Sequence, residues 1–314
     1  MAARTAFLFP GQGSQVVGMG ADLARSDPEA RRLFEAASDC TGTDLLALCS
    51  RGPFEALSRT RVLQPAITTV SLACLAWLES RNLEPQVTAG HSLGEIAALR
   101  CAGCLSADDA IRLSAARGAA MDDAASAHPG TMIAVVGLPL DQVLRETEAL
   151  LDPAEGGVAN LNAPDQAVLS GTVEAMDRAA RHFESREARC VPLAVSGAWH
   201  SRLMAPAEAP FREALERIAL HPPARRLYLN ATGLPEEDPL AVREALVAQL
   251  QRPVRWVEIV EGLRREGVTR FVEVGPGRVL RGTLRRIWPD ASAYEAHCVG
   301  DLASLERLAA AWSD

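Results

Sequence analysis

Ser92 sits in Gly90-His91-Ser92-Leu93-Gly94, a Gly-x-Ser-x-Gly run between an extended apolar stretch and a helical one. A serine on such a sharp strand-to-helix turn projects its hydroxyl from a helix N-terminus. There the dipole and the free N–H groups favour nearby negative charge. The N–H of the next residue, Leu93, can point at an oxyanion forming beside the serine. The chemistry this permits is acyl transfer through a serine ester. The bland alternative is a small residue in a tight turn. The placement after an apolar strand and before a clear helix favours the nucleophile.

A serine nucleophile needs a base, and the chain has six histidines. His91 is next to the serine, but adjacent side chains on such a turn diverge, so it reads as a packing or hydrogen-bonding residue. His128, His182 and His221 lie in polar turns or on an exposed helical face, and His297 reads as part of a late loop. His200 follows the extended run "VPLAVSGAWHS", where α/β folds display catalytic groups, and is the best base. A hydrolase triad would also need an acid after a late strand. Between Ser92 and His200 no Asp or Glu holds such a position.

Composition removes several other chemistries. All 32 basic residues are arginine, so neither a Schiff-base lysine nor a phosphate-loop lysine exists. The formal net charge of -8 argues against a nucleic-acid partner. Cys101 and Cys104 form a C-x-x-C, but no second Cys/His pair at zinc spacing accompanies it, and the Ala-rich helical setting suits buried thiols. Seven cysteines scattered along the chain do not suggest a disulfide scaffold. The N-terminal stretch lacks the apolar core of a signal peptide, and no apolar run approaches a membrane span. The expectation is a cytoplasmic, monomeric protein with no membrane, metal or redox cofactor.

The elements that must position these residues alternate between strand and helix. Strand patterns occupy "TAFLFPG" (5–11), "QVTAG" (86–90), "RRLYLN" (225–230) and "TRFVEVGPG" (269–277). Helical patterns run over 27–40, 53–57, 64–83, from 92 onward, and over 106–124, where Ser106 and Asp109 suit a capping box. Further helices are expected at 211–220, 241–250, 256–267 and 278–287. Between 131 and 195 the order is β-α-β-β-α-β, the signature of a split βαβ unit. The predicted fold is α/β: a hydrolase-like large domain with a mostly parallel sheet, residues 1–127 and 196–314, and an inserted ferredoxin-like domain, residues 128–195.

With the motifs taken together, the chain resembles the malonyl-CoA:acyl carrier protein transacylases, the acyltransferases of fatty-acid and polyketide synthesis. "FPGQGSQVVGMG", "LQPAI", "GHSLGEIAAL", "RG" with Met121, "NLNAPDQAVLSG", "SGAWHSRLM", "QLQRPVRW" and "EVGPGRVL" follow in family order and spacing. The resemblance implies Ser92 as nucleophile and His200 as base, held by the backbone carbonyl of Gln249 in place of an acid. It implies an oxyanion hole from the N–H groups of Gln12 and Leu93, and Arg117 as the ligand of a substrate carboxylate. A guanidinium suits that role through its parallel donors and fixed charge. Gln64, Met121 and Asn162 would line the pocket. Trp199, where the family more often has Phe or a small residue, would narrow it. The substrates implied are malonyl-CoA or a related acyl-CoA and an acidic acyl carrier protein, with no cofactor.

Arg278, Arg281 and Arg285 recur at helical spacing, with Arg286 beside them and Arg202 just after the base. These are the candidate carrier-protein contacts, against the commoner fate of a solvated basic face. The expected reaction is ping-pong transfer through an acyl-serine. Alternatives are an editing acyl hydrolase on the same fold, transfer of an unusual acyl group between carrier proteins, and a non-catalytic carrier-binding scaffold.

Overall fold

The computed structural model describes residues 4–312. Its strands in chain order are β1 (Arg4–Phe9), β2 (Val87–Gly90), β3 (Thr131–Val136), β4 (Gly156–Ala163), β5 (Gln166–Gly171), β6 (Arg189–Pro192), β7 (Arg226–Tyr228), β8 (Pro235–Glu236), β9 (Val268–Val274) and β10 (Glu295–Val299). They form two sheets. The larger has the order β10-β9-β1-β2-β7-β8 and is parallel except for the β7–β8 pair. The smaller, β4-β5-β3-β6, is antiparallel throughout. That order, with helices Leu140–Leu150 and Val173–Glu184 between strands, is the expected ferredoxin-like unit inserted in an α/β body.

The central strands β1 and β2 are near-continuous apolar runs, as a sheet covered on both faces requires. Their register matters for the site. Phe9 lies opposite Gly90, so the loops that follow, 10–12 and 91–93, leave the sheet side by side. On the other side Ala89 pairs with Tyr228, which brings Asn230 beside the end of β2. Ligand crevices of parallel sheets open at this carboxyl edge.

The helix Thr60–Glu79 runs beneath this edge. It starts four residues earlier than the pattern at Gln64 suggests and includes Pro65, and Asn82 in the left-handed region (φ 58) turns the chain out before Leu83. By length and composition it could cross a membrane, but it is packed inside the protein. The helix Ala107–Ala127 lies against it, and its Ser106 cap accepts the Asp109 N–H at 3.0 Å. Past Ile287 the residue pattern predicts no strand, yet β10 and the helix Leu302–Trp312 complete the large sheet. His297, read as a loop residue, lies within β10. The strand is a half-buried edge: Glu295 and His297 share one side of the pleat with the enclosed Val299, and only Ala296 and Cys298 hold the other, so it carries no clean alternation.

Candidate active site

The turn after β2 is held by close packing. A Cβ on Gly90 would lie 2.0 Å from the Gly94 carbonyl carbon, and one on Gly94 would lie 2.0 Å from the Phe9 oxygen. Only glycine lets the helix Gly94–Cys101 begin so close to two strands. Ser92 between them takes a left-handed backbone, φ 51, which costs a non-glycine residue about 1–3 kcal/mol. The loop after β1 packs against this turn, since a Cβ on Gly11 would come 2.6 Å from the His91 carbonyl oxygen. Among the described residues the N–H groups of Gln12 and Leu93 donate to no protein acceptor. Both are therefore available for an oxyanion.

His200, 4 % exposed, also has a left-handed backbone, φ 60. Its Nε2 is 2.7 Å from the Ser92 hydroxyl and its Nδ1 is 2.8 Å from the Gln249 carbonyl oxygen. The carbonyl fixes the tautomer with the proton on Nδ1, so Nε2 is free to accept from the serine. Gln249 is the last residue of the helix Pro239–Gln249, so that carbonyl belongs to the negative end of a helix dipole. Burial first, and the nearby Arg117 cation second, push the imidazole down to about 3. His200 is thus a neutral base at physiological pH.

Arg117, on the helix Ala107–Ala127, is fully enclosed. Its Nη1 donates to Gln64 Oε1 at 3.0 Å, and its Nη2 donates to Gln249 Oε1 at 2.8 Å and to Ser92 Oγ at 3.3 Å. All three acceptors are neutral. Burial pushes the guanidinium down to about 10, which leaves it a cation at neutral pH. Gln64 donates in turn to Gln12 Oε1 and to the Met121 sulfur. A buried cation with no carboxylate bonded to it, next to a Ser–His pair, can receive an anion from a ligand.

The sequence-predicted residues divide as follows. Ser92, His200, Gln249, Arg117, Gln64, Gln12, Leu93 and Met121 meet around one point. Trp199 is buried and its ring lies against Gly197, where an added Cβ would come 2.6 Å from the ring. Asn162 reaches the site only through His91, whose Nε2 lies 2.8 Å from its amide oxygen. His91 stacks edge-on against Trp256, in keeping with a packing role. Beside His200 a cleft of about 470 Å³ opens, with Arg202 and Gln251 on one wall and Leu144, Gly157 and Val158 of the small-sheet unit on the other. Arg278 and Arg285 are exposed, whereas Arg286 is bound to Asp165 at 2.7 Å. Arg278 and Arg281 line a second cavity of about 670 Å³ with Arg307. Cys101 and Cys104 are buried thiols pushed up to about 12 by burial, unsuited to redox or metal chemistry.

Three features escape the sequence reading. The Gln249 side chain, not only its carbonyl, joins the site by accepting from Arg117 and donating to the Ser92 carbonyl at 3.1 Å. Glu95 is a fully buried carboxyl three residues after the serine. Asn230, also fully buried, bonds Ser92 and Gly90. An acid in the otherwise apolar start of "GEIAAL", and an asparagine at a strand's carboxyl end, were the available signals.

The acyl transferase domain model matches residues 6–304. The malonyl CoA-acyl carrier protein transacylase of Haemophilus influenzae is 40% identical over 306 residues, 96% of this chain and 98% of its own length. The protein of that name from Escherichia coli K12 is 41% identical over 287 residues, 90% of this chain and 92% of its own. An acyl carrier protein S-malonyltransferase from Vibrio cholerae superposes with a TM-score of 0.91 at 38% identity, covering 98% of this chain and 100% of that one. A malonyl-transacylase solved in complex with a type II polyketide synthase acyl-carrier protein gives 0.92 at 38% identity, with coverage of 98% and 100%. With a Ser–His pair, two free main-chain donors and an enclosed arginine on this fold, the chain belongs to the acyl transferase family.

Proposed function

We propose that the protein moves a malonyl group from coenzyme A to the phosphopantetheine thiol of an acyl carrier protein, in fatty-acid or polyketide synthesis. The relatives' names and the carrier-protein complex support this reading. The observation that carries it is the enclosed Arg117, bonded only to neutral groups 3.3 Å from the Ser92 hydroxyl. A free substrate carboxylate is the missing counter-ion.

In this mechanism Ser92 Oγ attacks the thioester carbonyl while His200 Nε2 takes its proton. The Gln12 and Leu93 N–H groups bind the tetrahedral oxyanion. The C–S bond breaks, His200 returns the proton to the departing thiolate, and malonyl-Ser92 remains. The carrier thiol then gives its proton to His200 and attacks the ester, and Ser92 leaves with the proton restored. Every proton is handled by the dyad, so the steps balance with no metal or redox cofactor.

The two-domain division at 1–127 with 196–314 and at 128–195 fits this scheme, because the cleft beside His200 then lies between the domains. The arm of the thioester would enter there, past Arg202. The exposed Arg278 and Arg285, with the half-buried Arg281 between them, would meet the acidic carrier protein. Seven free cysteines suit a reducing compartment, and we place the enzyme in the cytoplasm.

Intact-mass measurement after mixing with malonyl-CoA tests the reading. A malonyl adduct on Ser92, discharged by holo carrier protein, is expected. Rapid release of free malonate would instead mean a hydrolase, and no adduct would mean a scaffold.

A further inference from the structure

The ladder between β2 and β7 stops at Ala89 and Tyr228, and beyond it one side chain takes over. Asn230 Oδ1 accepts the Ser92 N–H at 2.6 Å, and Asn230 Nδ2 donates to the Gly90 carbonyl at 2.6 Å. The two peptide groups that bracket His91 are thus tied to one amide. Asn230 is itself fixed, since its own N–H donates to Glu95 Oε2 at 2.6 Å. Asn230 and Glu95 are both fully enclosed, and the second Glu95 oxygen has no hydrogen-bond partner.

We propose that Asn230 is a positioning residue for the nucleophile, with Glu95 as its anchor. The clamp holds Ser92 at φ 51, the conformation that aims its hydroxyl at His200. It also engages the Ser92 N–H, so the free donor left at the turn is that of Leu93. The loop is set from three sides, by Asn230 through these two bonds, by Gly11 through close approach, and by Gln249 through the Ser92 carbonyl. Neither Asn230 nor Glu95 forms a hydrogen bond with Arg117; the Arg117 cation does lower the Glu95 carboxyl through space, so the uncharged Asn230 is the member of the clamp that separates positioning from carboxylate binding. Glu95 is pushed up to about 8 by burial, so at neutral pH it serves as a neutral anchor that adds no charge to the turn.

The inference rests on the reading of Ser92 as the acyl carrier. The test is the rate of acyl-Ser92 formation from malonyl-CoA, by quenched-flow mass spectrometry, per folded molecule as counted by circular dichroism. Asn230→Ala is expected to lower that rate about 10²-fold while the KM for malonyl-CoA stays within a few-fold, since a misplaced nucleophile loses chemistry before binding. A folded Asn230→Ala that acylates at the wild-type rate overturns the proposal, whatever its melting temperature. Should Asn230→Ala not fold, Glu95 decides. Glu95→Ala is expected to acylate at least tenfold more slowly, and Glu95→Gln, which keeps an acceptor for the Asn230 N–H, to recover most of the rate. Equal rates for the two overturn the clamp. A wild-type enzyme that forms no adduct would instead refute the acyl-serine reading itself.

Discussion

The Ser92 hydroxyl lies 2.7 Å from His200 Nε2, and both residues hold left-handed backbones, φ 51 and φ 60. Two strained residues that face each other across a hydrogen bond are held by their surroundings rather than by local preference. Asn230, Gln249 and the flanking glycines supply that hold for Ser92, and the Gln249 carbonyl supplies part of it for His200. Ser92→Ala should abolish the malonyl adduct. His200→Ala should slow adduct formation by about 10²–10⁴-fold, the usual weight of general base catalysis. Rapid-quench acylation assays check both, and a His200→Ala rate equal to wild type would remove the base assignment.

Arg117 is the residue we propose sets acyl selectivity. Its hydrogen bonds run to neutral groups, and without its cation the buried Glu95 holds its proton more firmly, so the variant should fold. Arg117→Ala should lower malonyl transfer on the order of 10²-fold, from lost charge-assisted bonds worth about 1.5–3 kcal/mol each. Transfer of acetyl, which has no carboxylate, should change far less. Arg117→Lys should not restore malonyl transfer, because an ammonium cannot reach Gln64, Gln249 and a substrate carboxylate through one planar fork. Acylation rates with the two thioesters check this.

The pH profile should lack the usual histidine break. With His200 pushed down to about 3, the imidazole is neutral across the physiological range. Acylation should stay flat as pH falls through 6.5 and decline only well into acid. Arg117 is one of the causes of the depression, so in Arg117→Ala the acid limb should move to higher pH. Single-turnover rates from about pH 4 to 8 decide it, and a wild-type break near the ordinary histidine value would contradict the burial argument.

Glu95 makes a prediction about stability. Burial raises its carboxyl from the ordinary value of 4.5 to about 8 in the folded protein, against the pull of the Asn230 N–H and Arg117. A carboxyl raised in the folded state binds its proton more tightly there. Its stabilisation is complete below pH 4.5 and is lost as pH rises through 8, and each tenfold gain in proton affinity is worth about 1.4 kcal/mol. The melting temperature should therefore fall between about pH 5 and 9, and Glu95→Gln should flatten that slope. Matching slopes in the two proteins would argue against the raised carboxyl.

Trp199 is expected to restrict the acyl group. Trp199→Ala should lower stability by about 3–5 kcal/mol, as large-to-small changes in a packed core do. In exchange it should raise acylation by an α-methyl-branched substrate relative to malonyl, by a factor of about 10–200 for one methylene's worth of room. Competition between the two thioesters measures the ratio, and an unchanged ratio would place Trp199 outside the acyl pocket.

The pairing of Ser92 with His200 was legible because its signals are local: glycines at fixed offsets around Ser92, and small residues before His200. The split βαβ unit was legible because its helices and strands differ sharply in hydrophobic period. Gln249 came only through the family resemblance, since every residue carries a carbonyl and only the three-dimensional path of the helix end brings this one to His200. Asn230 was hidden for a similar reason: its partners are peptide groups 138 and 140 positions away in sequence. The strand Glu295–Val299 was missed because it lies half-buried at a sheet edge, with only Val299 enclosed.

The free oxyanion donors and the imidazole's acceptor are all main-chain atoms, at Gln12, Leu93 and Gln249. No codon change deletes a peptide N–H or carbonyl, short of proline for the donors. In a mutational scan of this gene Leu93 should therefore be tolerant wherever the replacement preserves the backbone, while Gln12 and Gln249 should respond only through their side-chain bonds to Gln64, Arg117 and Ser92. What these main-chain atoms contribute to the proposed catalysis would itself be silent in such a scan, because it is inherited with the shape of the chain rather than spelled in its letters.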